Sequence, residues 1–129
     1  MNSGQGKQPT ILLVENDEET RRPLVRNLRG YGYRVVVAVD EEDAQERAGV
    51  EADLMLVNLV GMTAEEVLAA GRRVREHAKN DGRTPLVVMP EKYARELEDA
   101  EVNVGDSEWV FYLGEEPDRV RDLLARLTT

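Results

Sequence analysis

Short apolar runs alternate with amphipathic stretches along nearly the whole chain, and this alternation leaves few folds open to it. The first run, Ile11-Leu12-Leu13-Val14, lies within a strand expected over Thr10 to Glu15. Later runs predict strands over Arg34 to Val39, Asp53 to Asn58, Pro85 to Met89 and Glu108 to Tyr112. Runs of this length and continuity, such as Leu54-Met55-Leu56-Val57, read as strands of a buried parallel sheet.

Helical spacing fills the intervals. Leu24, Leu28 and Tyr31 recur at i, i+4 and i+7, with Gly30 and Gly32 as stop signals. Pro23 falls inside this helix, where it removes one hydrogen bond and is expected to kink the axis. Asp40 can cap a short second helix built on Ala44 and Ala48. Thr63 and Glu66 form a capping box before a third helix whose buried face is Val67, Gly71, Val74 and Ala78. Asn80-Asp81-Gly82 is a turn signal. A fourth helix is expected after Pro90, with Tyr93, Leu97 and Ala100 as its thin apolar stripe. A fifth carries Val120, Leu123, Leu124 and Leu127. Strands and helices in this order predict an α/β fold, a flavodoxin-like (βα)5 three-layer sandwich around a parallel five-stranded sheet ordered 2-1-3-4-5. The expected organisation is a single domain over residues 10–129, with a polar, disordered N-terminal tail over residues 1–9.

Composition narrows the function. A net charge of −9 argues against duplex nucleic acid and anionic membrane as direct partners, because phosphate contacts need an excess of lysine and arginine. There is no cysteine, which rules out disulfides and thiolate metal sites. No apolar stretch is long enough to span a membrane, and residues 1–9 lack a hydrophobic signal region, so a cytoplasmic location is expected. No phosphate-cradling loop and no dinucleotide fingerprint is present. No catalytic residue, metal site or cofactor is expected.

In open parallel sheets, chemistry sits beyond the carboxyl ends of the strands. Glu15, Asn16 and Asn58 end the first and third strands, so they are expected to converge. The run Ile-Leu-Leu-Val-Glu-Asn-Asp at 11–17, followed by a helix, resembles the start of a response-regulator receiver domain of two-component signalling. The segment Ala38-Val39-Asp40 with Ala44 resembles that family's second strand-to-helix junction, and the likeness extends over 10–127. The resemblance implies an acidic pair after strand one, a phosphate-accepting aspartate after strand three, a hydroxyl residue ending strand four and a lysine after strand five. In this chain Asn16 takes the second acidic position, Asn58 the acceptor position, Pro90 stands after Met89 at the end of strand four, and Tyr112 stands in place of the lysine. The only lysines are Lys7, Lys79 and Lys92, none of which follows strand five.

An uncharged carboxamide cannot serve as the nucleophile of acyl-phosphate formation. Mg²⁺ sites for phosphoryl transfer rely on carboxylates, and Asn16 and Asn58 replace two of them. Glu15, Asn16, Asn58, Pro90 and Tyr112 are therefore expected to form a degenerate phosphorylation pocket. Each also has a plainer reading. Asparagines at strand ends commonly satisfy turn backbone, a lone Glu15 is ordinarily solvated, and His77 reads as a surface residue.

Trp109, Phe111 and Tyr112 cluster within four residues. The resemblance implies a docking surface formed by helix four, strand five and helix five. Tyr93, Trp109, Phe111, Arg119 and Asp122 are its candidates here, for a protein partner or a homodimer. The plainer readings are edge-strand packing under the helices and a solvated mixed-charge surface. The function expected is that of a pseudo-receiver, a phosphorylation-independent interaction module rather than an enzyme. A small-molecule sensor using the neutralised pocket is an alternative, and phosphoryl transfer through Asp17 is a third reading.

Overall fold

The protein is described by a computed structural model covering residues 8–47, 49–77 and 83–129. Most of the expected tail, the helical positions Ala48 and Ala78, the turn Asn80-Asp81-Gly82, and Lys7 and Lys79 lie outside the described residues. The elements in chain order are β1 (Thr10–Glu15), α1 (Glu18–Gly30), β2 (Arg34–Ala38), α2 (Glu41–Arg47), β3 (Leu54–Asn58), α3 (Ala64–Glu76), β4 (Leu86–Val88), β5 (Glu101–Gly105), β6 (Glu108–Phe111) and α4 (Pro117–Leu127).

Five strands lie parallel in the order β2-β1-β3-β4-β6, the flavodoxin-like arrangement. Alternation along each strand divides the core between two faces. Ile11 and Leu13 join Leu28, Leu54, Leu56, Val87, Phe111, Leu123 and Leu124 beneath α1 and α4. Leu12 and Val14 join Ala44, Met55, Val57, Val67, Val74, Val88 and Val110 beneath α2 and α3. A Cβ built on Gly71 would lie 2.9 Å from Leu86 Cδ1, so α3 rests close on β4 and a larger residue there would displace the Leu86 side chain.

Local chemistry sets the helix ends. Asp17 caps α1, its side chain accepting from the Thr20 amide at 3.1 Å. The α1 helix runs through Pro23 as one span, leaving an outward-facing turn to lose the single bond that proline removes. Asp40 Oδ1 accepts from the Asp43 amide at 2.8 Å at the start of α2. Thr63 and Glu66 form the reciprocal capping box of α3. None of the described helices is long and apolar enough to cross a membrane.

One element departs from expectation. No fourth helix follows Pro90; the segment holds only a single 3-10 turn, Arg95–Leu97, and then a sixth strand, β5, antiparallel to β6 at the sheet edge. Three apolar positions, one of them alanine, bury too little surface to hold a helix on the sheet. The residues that follow, Val102 and Val104, alternate with polar neighbours and run into Gly105-Asp106-Ser107, which turns the chain into a hairpin. Asp99 (φ 64°) and Ser107 (φ 56°) take left-handed conformations at the two ends of β5.

Candidate functional site

The carboxyl ends of β1 and β3 bring Glu15 and Asn58 into direct register. Asn58 Nδ2 donates to Glu15 Oε1 at 2.5 Å, and the Asp17 amide donates to Glu15 Oε2 at 3.0 Å. Glu15 is fully buried. Burial pushes its carboxyl above the ordinary glutamate value, the two amide donors partly oppose that shift, the Asp17 carboxylate reinforces it, and Arg21 opposes it least. Arg21 donates instead to the Glu15 main-chain carbonyl, at 3.0 Å. The carboxylate is thus held by neutral donors.

The surrounding loops are satisfied internally. Asn16 is exposed and turns to the β3–α3 loop, where its Oδ1 accepts from the Val60 amide at 2.9 Å. The next amide, Gly61, donates to Glu91 Oε1 at 2.7 Å. Backbone N–H groups beside a strand end are the natural cradle for an anion, and here two of them are occupied by side chains of the same molecule. Asp17 is engaged as the α1 cap, with Thr20 Oγ1 also donating to it.

Pro90 is buried just beyond β4, and Met89 continues the sheet through its amide to the Val57 carbonyl at 2.9 Å. Tyr112, just beyond β6, packs edge-to-face on Tyr93 with ring centroids 5.2 Å apart. Tyr93 donates its hydroxyl to the Leu113 carbonyl. The structure therefore brings Glu15 and Asn58 into one bonded pair, directs Asn16 to the neighbouring loop, and engages Tyr112 with the aromatic ring of Tyr93.

This donor set does not fit Mg²⁺. The ion requires several hard, anionic oxygens. Both Glu15 oxygens already face amide donors, and its neighbour in register is a carboxamide.

The expected interaction face needs two corrections. It has no α-helix between β4 and β5, and Tyr93 sits on an irregular segment against Tyr112 and Leu113, just beyond β6. Phe111 is 1% exposed and belongs to the core beneath α4. Strand alternation sends Trp109 and Phe111 to the same inward face, which the aromatic clustering alone did not reveal. Arg119 and Asp122 are exposed on α4, and Trp109 is half-buried.

Sequence reasoning also missed a second buried carboxylate, at the opposite end of the sheet. Glu108, at the start of β6, receives Arg72 through Nε at 3.0 Å and Nη2 at 2.7 Å, and is bridged as well by Arg75. Arg75 also donates to the Ser107 carbonyl at 3.2 Å. These guanidinium contacts hold the Glu108 carboxyl below the ordinary value. The Arg-x-x-Arg spacing on the last turns of α3 was the available signal, though the acid lies 36 residues from Arg72. A crevice of about 390 Å³ lined by Gln8, Arg29, Tyr33, Arg34 and Val35 lies beside β2, also away from the Glu15 end.

The fold is shared with solved receiver domains. The chemotaxis protein CheY4 of Vibrio cholerae aligns with a TM-score of 0.70 at 20% identity, over 94% of this chain and 99% of that one. The receiver domain of the sensor histidine kinase PA1611 of Pseudomonas aeruginosa, solved with a magnesium ion in its active-site cleft, aligns at 0.68 and 21% identity, over 95% and 98%. A response regulator from Thermotoga maritima aligns at 0.67 and 22% identity, over 95% and 98%. No family model and no curated relative matches the sequence.

Proposed function

We propose that this chain is a receiver-like domain of a bacterial two-component or phosphorelay system whose phosphoryl-transfer site has been neutralised. It acts in the cytoplasm as a phosphorylation-independent protein-interaction module and not as an enzyme. The observation that carries the reading is the Glu15–Asn58 pair. At the position where the receiver resemblance calls for a nucleophilic carboxylate, a carboxamide donates a hydrogen bond to the one carboxylate that remains. That amide supplies no nucleophilic oxygen anion for phosphorus, and the loop amides that could bind a phosphoryl group already have acceptors.

Receiver domains serve as switches, and without phosphoryl chemistry the output rests on binding. The exposed Arg119 and Asp122 of α4, with half-buried Trp109 and Tyr93, form the surface for a protein partner. The test is an amide NMR titration, first with Mg²⁺ and then with beryllofluoride as a phosphoryl mimic. Unchanged spectra support a silent pocket. Shifts centred on Glu15, Asn58 and Tyr112 overturn it.

A further inference from the structure

The hairpin that replaces the fourth helix leaves β5 as the outermost strand, with nothing among the described residues paired to its outer side. The geometry points to this strand as the contact between two copies of the chain, joined edge to edge by antiparallel β5 pairing around a two-fold axis at Val102. This rests on the interaction-module reading and adds to its α4 surface a second contact, the β5 edge, whose partner is another copy of the chain.

Three features of the strand carry the inference. The first is the direction of its free backbone groups. Tyr112 donates to the Ala100 carbonyl at 3.0 Å, and the antiparallel ladder then alternates, so Glu101 and Asn103 turn their backbone groups outward. A two-fold axis at Val102 sets Glu101 of one copy opposite Asn103 of the second copy, and the reverse. That register forms two reciprocal pairs of backbone hydrogen bonds and avoids the bulge between Asn103 and Gly105.

The second feature is the apolar face. Val102 lies opposite Val110, whose side chain belongs to the core beneath α2 and α3. Val102 therefore points to the side that a fourth helix would have covered. It is 41% exposed, and Val104 is 39% exposed. The two-fold register places Val102 against Val102 of the second copy, joining one apolar surface across the seam.

The third feature is charge. Edge strands that resist pairing carry lysine, proline or inward charges. The segment Glu101-Val102-Asn103-Val104-Gly105 has one charge, and Glu101 is bridged to Arg126 of α4. In this register Glu101 meets a neutral Asn103 rather than another acid, so a chain of net charge −9 can pair here without like-charge contact. A strand of this length buries less than a standard interface, which makes the dimer transient.

The test is sedimentation velocity of the whole chain from about 10 μM to 1 mM, with hydrogen exchange at both limits. The expected result is a reversible monomer–dimer equilibrium, with the Glu101 and Asn103 amides becoming protected as concentration rises. Val102→Lys/Val104→Lys places four cations at the seam and should weaken the dimer at least about tenfold. Asn103→Pro, which removes an outward N–H, should do the same. Arg26→Glu on α1, exposed and away from the seam, should leave the dimer intact. A dimer that survives both β5 variants, or whose Glu101 and Asn103 amides stay unprotected, overturns the proposal. Wild-type protein that remains monomeric throughout overturns the self-pairing alone, because the Mg²⁺ and beryllofluoride titration tests the silent pocket separately.

Discussion

Two buried glutamates at opposite ends of one sheet solve the same problem in opposite ways. Glu15 and Glu108 are 0% and 5% exposed. Glu108 is gripped by two arginines and held ionised. Glu15 is held by an asparagine and a backbone amide, and is pushed toward its neutral form. A carboxylate with paired guanidinium groups ties α3 to the start of β6 and serves the fold. A carboxylate without a cation contributes little to stability at neutral pH.

The largest break in this comparison is expected from Glu108→Gln. Removing a buried partner costs roughly 3–5 kcal/mol when the remaining charge stays buried. Arg72 is half exposed and regains water, whereas Arg75 stays largely buried on main-chain carbonyls, so about 2–3 kcal/mol is expected at neutral pH, read by urea denaturation. Next comes Asn58→Asp, which removes a donor to Glu15 and adds a like charge beside it. The pair then titrates as a unit with one value raised, and about 1–2 kcal/mol should be lost at pH 7 and recovered in acid.

The pH dependence sharpens the contrast further. Glu15, raised from 4.5, contributes stability that is fully present below that value and is lost as pH rises through its higher folded value. Glu108, lowered from 4.5, contributes stability that is present above that value and is lost as pH falls through its lower folded value. Denaturation midpoints from pH 3 to 8 should therefore show the Glu15→Gln variant losing part of the decline above pH 4.5. The Glu108→Gln variant should lose part of the decline below it. The smallest net effect is that of Glu15→Gln at neutral pH: the amide removes a desolvated carboxylate but turns its NH2 onto one of the two amide donors, a lost hydrogen bond worth about 1 kcal/mol.

The same contrast explains what was legible in the sequence. Glu15 and Asn58 could be placed together because each closes an apolar run, and parallel strands align their carboxyl ends. The capping residues Asp40 and Thr63 act within four positions, so spacing alone located them. Glu108 could not be matched to Arg72 and Arg75, because their pairing is made by tertiary folding over a long separation. The β5–β6 hairpin was hidden for a different reason. Tyr93, Leu97 and Ala100 carry a helical spacing that outweighed the alternation at Val102 and Val104, yet the helix it suggested had too little apolar surface to dock. Phe111 was misplaced because adjacent aromatics do not reveal which face each one takes.

The β3–α3 loop, tied to Asn16 through Val60 and to Glu91 through Gly61, has a consequence in conformational entropy. Its ordering is completed when the domain folds, so no later event at the strand ends has a floppy loop left to freeze. The entropy of ordering those two amides is therefore spent on folding and is not available to a ligand that would order them on binding.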